Sequence, residues 1–312
     1  MKIVVTGALG HIGSHLIRRL PDFFPDCEVV MIDSLATQRY PSLFNLPPKG
    51  KYRFIEGDVT GMELEPLFVG ADAVVQLAAI TDATSSFDRA EEVERVNLTA
   101  TKRVADACMA TGAPMIMASS TSVYGTQKNQ VDEDCSPEEL KPQSPYAETK
   151  LKEETLTRKK YDEGLKSIIF RYGTIYGISP GMRFHTAVNK FCWQAIMGTP
   201  LTVWETAYDQ KRPYLDLEDC TRAVALVIKK KLFDGRVYNV VSVNSTVRDV
   251  VENIKSHIPD LEVIFVKHKV MNQLSYEVLN TRLKKLGFVP EKSLSSGISE
   301  TIDMLRGAQS LW

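Results

Sequence analysis

The sequence lacks the features that mark several classes of protein. No apolar run is long enough to cross a bilayer, and no secretory signal opens the chain. A formal net charge of −1 gives no support to a nucleic-acid or membrane partner. No Cys-x-x-Cys pair or Cys/His cluster indicates a disulfide framework or a metal site, and the five cysteines are scattered: Cys27, Cys108, Cys135, Cys192 and Cys220. We expect a cytoplasmic protein without bound metal, whose cysteines are buried.

The first 33 residues contain the strongest pattern in the chain. The apolar run 2–6 predicts a buried parallel strand, and the apolar spacing over 14–20 predicts a helix. Between them lie Gly7, Gly10 and Gly13, where the missing Cβ atoms let a ligand approach the backbone while the helix N-terminus attracts phosphate. A second strand, 28–32, ends at Asp33, whose carboxylate suits ribose hydroxyls and would repel a 2′-phosphate. We therefore predict a site for NAD rather than NADP.

Two further strands end in residues that suit a nucleotide. Strand 52–59 ends in Asp58 and Val59, where the acid can accept a hydrogen bond from the adenine amino group or be a solvated acid in a turn. Strand 71–79 ends in small residues over which a cofactor can lie flat. The helix predicted over 90–112 has Asn97 on its apolar face, and this side chain either binds a loop near the nicotinamide or faces solvent.

A hydroxyl-rich strand end and a Tyr-x-x-x-Lys pair point to redox chemistry. Strand 114–118 delivers the segment 119–125, which includes Ser120, to the carboxyl edge of the sheet, where ligands bind in open α/β sheets. A helix predicted over 144–161 presents Tyr146 and Lys150 on one face. A nicotinamide near these residues would exchange hydride with an alcohol carbon. We predict that Tyr146 is the acid and base and that Ser120 holds the same substrate oxygen.

The pKa of Tyr146 is central to this hypothesis. A tyrosine with its usual pKa of about 10 is a poor base at neutral pH. The Lys150 ammonium and the positive nicotinamide both favour the phenolate. We therefore predict a lowered pKa for Tyr146.

The alternation of strands and helices predicts an α/β fold. After a sixth strand at 167–174, we expect a Rossmann-type doubly wound parallel sheet over 1–175, to which a strand near 236–241 returns. Residues 176–312 are expected to form a smaller α/β carboxyl-terminal substrate lobe. Its predicted elements are helices at 183–197, 218–230 and 246–258, strands at 200–204 and 212–216, and a mostly helical end from 279.

These motifs together resemble the extended short-chain dehydrogenase/reductase family, in the branch of nucleotide-sugar epimerases, dehydratases and decarboxylases. The similarity covers nearly the whole chain. The matching segments are Thr6-Gly7-x-x-Gly10-x-x-Gly13, Asp58-Val59, Leu77-Ala78-Ala79, Ser119-Ser120-Thr121-Ser122-Val123-Tyr124-Gly125 and Pro145-Tyr146-x-x-x-Lys150. The resemblance implies tightly held NAD, a nucleoside-diphosphate sugar oxidised at its C4 hydroxyl, and a homodimer formed through the helices that contain 90–112 and 146–161.

The resemblance also implies which residues contact each ligand. For NAD they are Gly7, Gly10, His11, Ile12, Gly13, Asp33, Ser34, Asp58, Val59, Leu77, Ala78, Ala79, Asn97, Tyr146, Lys150 and Tyr172. For the substrate they are Thr81, Ser120, Ser122, Thr174, Arg183, Trp204 and Arg212. Arg212 is similar to an arginine that binds the sugar diphosphate, and Trp204 falls where the family often places a ring against the base. A surface salt bridge and a core aromatic are the simpler alternatives for these two.

Departures from the family pattern decide the predicted reaction. Dehydratases of the family carry an Asp-Glu pair after the catalytic hydroxyl residue and decarboxylases carry a Glu, whereas here the positions read Thr121 and Ser122. Without that acid and base, we predict oxidation at C4, rotation of the ketone and return of the hydride to its other face, which is 4-epimerisation. Thr174 replaces an asparagine of many epimerases, and 270–273 lacks the usual second diphosphate arginine. The sequence therefore leaves the nucleotide and the sugar open.

Other functions stay open at this point. A 4-dehydrogenase or ketoreductase on the same substrate class would need exchangeable cofactor, whereas an epimerase recycles its own. A dehydratase on that class is a further alternative. A catalytically silent dinucleotide-sensing protein would keep the fold, although intact Ser120, Tyr146 and Lys150 argue against it.

Overall fold

A computed structural model of the chain describes residues 1–125, 129–267 and 275–308, so the segment 270–273 lies outside the described residues. The strands are β1 Lys2–Thr6, β2 Glu28–Asp33, β3 Lys51–Glu56, β4 Ala73–Gln76, β5 Met115–Ser120, β6 Gln130–Val131, β7 Ser167–Tyr172, β8 Thr174–Tyr176, β9 Leu201–Trp204, β10 Lys211–Asp216, β11 Asp234–Val240, β12 Val243–Thr246, β13 Val263–Val266 and β14 Glu277–Val278. The helices are α1 His11–Phe23, α2 Glu65–Phe68, α3 Ala90–Thr111, α4 Pro145–Asp162, α5 Ala187–Ile196, α6 Leu217–Lys230, α7 Val247–His257, α8 Thr281–Lys285 and α9 Leu294–Leu305.

A seven-stranded parallel sheet organises the molecule, with the strand order β11-β7-β5-β4-β1-β2-β3. The chain runs outward from β1 to β3 on one side and from β4 to β11 on the other. The order therefore reverses between β1 and β4, and a crevice at the carboxyl ends of these strands is where such sheets bind ligands. The predicted α/β fold class, with its Rossmann-type sheet, is confirmed.

Successive side chains of the sheet enter two different cores. Ile3 and Val5 of β1 lie in the core that α1 and α6 cover, and Val4 lies in the opposite core, which α3 covers. Burial on both faces explains why β1 reads as a continuous apolar run rather than an alternating one. The predicted strand near 236–241 is β11, which pairs with β7. Helix α6 returns with it and packs beside α1, whereas the sequence placed this helix in the second lobe.

Several predicted elements have different bounds in the structure. The strands predicted over 52–59 and 71–79 are shorter, because β3 ends at Glu56 and β4 at Gln76. The strand predicted over 167–174 is divided at Gly173 into β7 of the main sheet and β8 of a second sheet, which has the order β12-β10-β8. A Cβ on Gly173 would lie 3.0 Å from the Pro213 carbonyl oxygen, so the chain passes close to β10 and a larger residue would need the β10 backbone to shift by a few tenths of an ångström. The helix predicted over 183–197 begins only at Ala187, after Thr186, whose backbone is extended and whose hydroxyl donates to the Ile175 carbonyl oxygen.

The carboxyl-terminal lobe has its own apolar core. Helices α5, α7 and α9 pack there against β9 and β10. Thr246 starts α7 with a capping box, in which its hydroxyl accepts from the Asp249 N–H and the Asp249 carboxylate accepts from the Thr246 N–H. None of the helices in the described residues combines the length and the apolar composition needed to cross a bilayer.

Candidate active site

The first βα turn is built by close backbone packing. Gly7 has a left-handed φ of 63°, and a Cβ there would lie 2.8 Å from the Ala78 nitrogen. A Cβ on Gly13 would overlap the Gly7 carbonyl oxygen. At Gly10 there is more room, because an added Cβ would meet only the Gly7 oxygen at 3.3 Å and Arg39 Nη1 at 3.8 Å. This open side lies at the start of α1, where the first N–H groups of a helix lack intrahelical acceptors, and it fits a pyrophosphate.

Asp33 is held at the edge of this turn. Its carboxylate accepts hydrogen bonds from the Leu9 N–H at 3.0 Å and from the Leu35 N–H at 2.9 Å. The side chain is partly exposed and the following Ser34 is exposed. The position suits the predicted contact with ribose hydroxyls.

The predicted adenine contacts lie at the ends of β3 and β4. Asp58 is exposed, and one of its oxygens accepts from the backbone and the hydroxyl of Thr60, both at 2.8 Å. Val59 is buried, and residues 77–79 are partly exposed beyond the end of β4. These residues stay predicted contacts of the dinucleotide.

Four other predicted cofactor residues use their side chains within the protein. Asn97 is fully buried, accepts from the Ile80 N–H at 2.8 Å and donates to the Ile80 carbonyl at 3.0 Å, so it holds the loop after β4 and does not face solvent. Tyr172 is 4% exposed and its ring lies in the core under α1. Ile12 packs against the same core. His11 binds the Gly177 carbonyl oxygen at 3.0 Å.

The turn is tied to the carboxyl-terminal lobe by bonds that the sequence did not reveal. Burial lowers the pKa of His11 to about 4, so the ring that binds Gly177 is neutral near pH 7. One turn along α1, the Ser14 hydroxyl accepts from the Gly181 N–H at 2.9 Å. A Cβ on Gly181 would overlap the Leu9 carbonyl oxygen. The segment 177–181 therefore lies directly against the cofactor turn.

Ser120, Tyr146 and Lys150 come from two neighbouring elements. Ser120 ends β5, and Tyr146 lies in the first turn of α4, which the Ser144 hydroxyl caps. Lys150 follows one turn later, with its Nζ 5.9 Å from the centre of the Tyr146 ring. The same Nζ donates to the Ala118 carbonyl oxygen at 3.0 Å, which joins α4 to the end of β5. The structure thus brings the three predicted catalytic residues to one edge of the sheet.

Burial changes the electrostatics expected for this group. Burial raises the pKa of Tyr146, the Lys150 ammonium opposes the rise, Glu153 adds to it and Arg183 opposes it. The net direction is upward, so the protein's own side chains do not produce the predicted lowering, because the sequence shows the cation but not the lost hydration. Burial also disfavours the charged form of Lys150, yet Glu153 leaves the pKa of this lysine raised, and it stays an ammonium.

Two adjacent glutamates behind Tyr146 were not singled out from the sequence. The Glu153 carboxylate lies 3.1 Å from Lys150 Nζ and accepts from the Thr101 hydroxyl at 2.6 Å. Glu154 takes two parallel hydrogen bonds from the Arg171 guanidinium, at 2.8 and 2.7 Å. All five side chains are buried. Glu153 and Glu154 follow Lys150 at spacings of three and four residues, which place all three side chains on one helix face. This spacing could have indicated ion pairs on that face.

The predicted substrate residues other than Ser120 and Ser122 fall into two groups. Arg183, from the segment before α5, donates to the Thr81 hydroxyl beyond β4. Burial lowers the pKa of Arg183, and Asp82 and Tyr146 oppose this shift. Thr174 in β8 and Arg212 in β10 belong to neighbouring strands of the lobe, and Trp204 ends β9; all three are partly exposed. The structure thus joins Thr81 to Arg183 and places the other three on lobe strands.

The residues at the family's acid–base positions are engaged locally. Thr121 is buried, and its hydroxyl donates to the Tyr172 carbonyl oxygen at 3.2 Å. The backbone N–H of Ser122 donates to Ser120 Oγ at 3.1 Å, and the hydroxyl of Ser122 lies 2.9 Å from the same oxygen. Ser120 therefore has partners that leave its own O–H available to a substrate oxygen.

Comparison with known proteins defines the family. Residues 3–240 match the model of the NAD dependent epimerase/dehydratase family. The chain belongs to the NAD dependent epimerase/dehydratase family. The resemblance predicted from the motifs is thus confirmed, and NAD is the cofactor of this family.

Members of the family with known names are similar over nearly the whole chain. The trifunctional UDP-glucose 4,6-dehydratase/UDP-4-keto-6-deoxy-D-glucose 3,5-epimerase/UDP-4-keto-L-rhamnose-reductase of Arabidopsis thaliana is 29% identical over 97% of the chain and 47% of the relative, so the chain spans about half the length of that plant protein. The Uncharacterized UDP-glucose epimerase YtcB of Bacillus subtilis is 30% identical over 98% of both chains. The UDP-glucuronic acid 4-epimerase of Bacillus cereus, solved with UDP-glucuronic acid and NAD, is 28% identical with a TM-score of 0.87, covering 99% of this chain and 100% of that one.

Proposed function

We propose that this family member is an NAD-dependent nucleoside-diphosphate-sugar 4-epimerase. The names of the B. subtilis and B. cereus relatives support a nucleotide-sugar substrate and this reaction. The observation that carries the proposal is the pairing of Tyr146 with the Lys150 ammonium at the sheet edge beside Ser120, without a carboxylate at positions 121 and 122.

The side chains divide the work of the reaction. When bound, NAD accepts a hydride from C4 of the sugar and returns it. The Tyr146 oxygen removes the proton of the C4 hydroxyl as the C4 ketone forms, and Ser120 Oγ donates a hydrogen bond to the same oxygen. The Lys150 ammonium stabilises the phenolate. After the keto sugar has rotated in the site, so that its other face receives the hydride, Tyr146 returns the proton to the C4 oxygen. The product then differs from the substrate only in the configuration at C4.

The neighbours of Ser120 favour epimerisation over elimination of water. Elimination requires an additional acid and base, and a hydroxyl is a poor substitute for either at neutral pH. Thr121 is turned toward the Tyr172 carbonyl, and Ser122 is bound to Ser120 itself. A 4,6-dehydratase is the second candidate, because the Arabidopsis relative includes that activity in its name.

The substrate contacts are part of the same proposal. Arg212 binds the diphosphate through its guanidinium, Trp204 contacts the base, and Thr174 lies beside the sugar. Arg183 and Thr81, which are joined by a hydrogen bond, close the pocket on the side of Tyr146. The protein acts as a homodimer whose interface is formed by α3 and α4, and sedimentation of the purified protein at two concentrations tests this part.

One experiment distinguishes the candidate functions. The purified protein is incubated with UDP-, GDP-, dTDP- and CDP-hexoses in parallel reactions with and without added NAD, and the products are followed by proton NMR. We expect one nucleotide sugar to be converted to its C4 epimer. A 4-keto-6-deoxy product would instead identify a dehydratase, dependence on added NAD with accumulation of NADH would identify a dehydrogenase, and no conversion of any sugar would favour a binding protein.

A further inference from the structure

The ion pair between Lys150 and Glu153 has no part in the mechanism described so far. Both side chains are almost completely buried, with 5% and 2% of their surface exposed, and their charged atoms are 3.1 Å apart. Glu153 also has a partner on another helix, since the Thr101 hydroxyl of α3 donates a hydrogen bond to its carboxylate at 2.6 Å. A carboxylate is costly to bury, and two partners from two helices hold this one in place.

We propose that Glu153 is a positioning residue that, together with Thr101, fixes the Lys150 ammonium beside Tyr146 and limits how strongly this cation acts on the phenol. The inference rests on the proposed role of Tyr146 as acid and base. Glu153 contacts neither the substrate nor the cofactor in this scheme, and it acts through Lys150.

The neighbouring glutamate shows that the arrangement is specific. Glu154 binds the Arg171 guanidinium with both carboxylate oxygens, so each glutamate has its own buried cation. Within the part of the chain that the structure describes, Lys150 Nζ donates hydrogen bonds to Glu153 and to the Ala118 carbonyl oxygen. These two acceptors hold the ammonium from the side of α4 and from the side of β5.

The charges around Tyr146 determine the direction of the effect. Lys150 and Arg183 are cations that favour the phenolate, and Glu153 is the anion that disfavours it. Glu154 lies further back on α4, where it acts on Lys150 and Glu153 rather than directly on the phenol. Loss of the negative charge at Glu153 removes the anion that opposes ionisation of the phenol, and it also lowers the pKa of Lys150, whose Nζ keeps the Ala118 carbonyl oxygen as an acceptor. The Tyr146–Lys150 pair therefore gives up a proton at lower pH. The phenolate is the form of Tyr146 that removes the proton of the substrate hydroxyl, so the rate rises as the phenol ionises. In the variant this rise is expected at a lower pH than in the wild type.

The test is the pH dependence of Glu153→Gln. We expect the acid limb of kcat/KM for the epimerised sugar to move down by about one pH unit, since the loss of a neighbouring buried charge shifts a pKa by about that much or more. The matched control is Glu163→Gln. Lys160 and Glu163 are also three residues apart, and the Lys160 Nζ lies 3.1 Å from the Glu163 carboxylate. This pair lies at the carboxyl end of α4, where Glu163 is the C-cap and is exposed. Its profile is expected to coincide with the wild type.

A second readout requires no turnover. In protein loaded with NAD and carrying tyrosine labelled with ¹³C at Cζ, the signal that Tyr146→Phe removes identifies Tyr146, and its titration is expected to move in the same direction in Glu153→Gln. If the titration moves but no sugar is epimerised, the proposed function fails and the electrostatic role of Glu153 stands. If the sugar is epimerised and neither the titration nor the acid limb moves, Glu153 is only structural and the inference is overturned.

Two further variants guard against a folding defect. Thr101→Val removes the hydroxyl that favours the Glu153 carboxylate while keeping the shape of the side chain, so we expect a smaller shift in the same direction. Glu153→Asp keeps the charge and is expected to move the acid limb back toward the wild-type position. If Glu153→Gln does not fold, an unshifted Thr101→Val overturns the inference.

Discussion

Two regions near the same sheet edge are built differently. One is the cofactor turn, which is the glycine turn over 7–13, and the other is the inner face of α4, which contains the buried side chains of Lys150, Glu153 and Glu154. The turn relies on backbone packing at Gly7 and Gly13 and on the neutral ring of His11, and its acid, Asp33, is held by backbone N–H groups. The inner face of α4 contains two buried ion pairs instead. A pyrophosphate brings its own charge, which backbone donors can bind. Proton transfer at a phenol needs a charge that the protein supplies, and the protein must then balance it.

The largest effect is expected at the phenol itself. Tyr146→Phe removes the group that accepts and returns the proton, so the rate should fall by about 10²- to 10⁴-fold. Thermal unfolding should change little, because the ring and its packing are kept. The measurement is the initial rate of epimerisation by proton NMR. A wild-type rate would show that another group moves the proton, and the comparison between the two regions would then have no catalytic meaning.

The second ion pair should matter for stability rather than for the pH dependence. Glu154→Gln leaves the buried Arg171 guanidinium without its anion, and we expect a loss of about 3–5 kcal/mol in the free energy of unfolding. The acid limb of the rate should move less than in Glu153→Gln. Urea unfolding gives the first quantity and the pH profile gives the second. A larger shift than in Glu153→Gln would mean that the two glutamates do not have separate functions.

In the cofactor turn, the sensitive feature is the backbone contact. Gly13→Ala places a Cβ on the Gly7 carbonyl oxygen, so we expect a loss of about 1–3 kcal/mol in stability and weaker binding of NAD. The control is Gly61→Ala, where an added Cβ meets no atom within 4 Å and the effect should stay within about 1 kcal/mol. Calorimetric titration with NAD measures the binding. Equal affinities in the two variants would contradict the close packing described for the turn.

The smallest expected effect concerns the neutral ring of His11. Burial lowers its pKa from 6.5 to about 4, so between these values the unfolded chain binds a proton that the folded chain does not. Stability should therefore fall as the pH decreases through this window. His11→Gln keeps an N–H donor for Gly177 but does not titrate. Over the same pH range, its free energy of unfolding should therefore fall by roughly 1–2 kcal/mol less than that of the wild type. Urea unfolding at both ends of the window measures the difference, with His257→Gln in α7 as the control. Parallel losses in wild type and His11→Gln would show that His11 is not the titrating group.

Elements with a strong pattern were predictable, and contacts between distant elements were not. The apolar runs and the glycines predicted β1, the turn and α1, and the order of the motifs along the chain indicated the family. The start of α5 was predicted too early because Arg183 and Thr186 bond to distant residues, Thr81 and Ile175, and no local pattern reveals such contacts. Lys150 lowers the pKa of Tyr146 as predicted, but burial outweighs it in the protein alone, because burial cannot be read from spacing. The further effect of the nicotinamide stays a prediction. Glu153 was missed because charges on a helix usually face water.

The return of α6 and β11 to the first core bears on how the chain could be dissected. A fragment that ends at residue 175 would retain the glycine turn and Tyr146 but would lose the strand beside β7 and the helix beside α1. The backbone of β7 would then be an open sheet edge, which favours association with other chains. A piece that contains all seven strands of the sheet therefore extends at least to residue 240, and Leu283 and Phe288, which complete the core under α1, lie still further along the chain. During synthesis, residue 240 must leave the ribosome before the sheet can be completed.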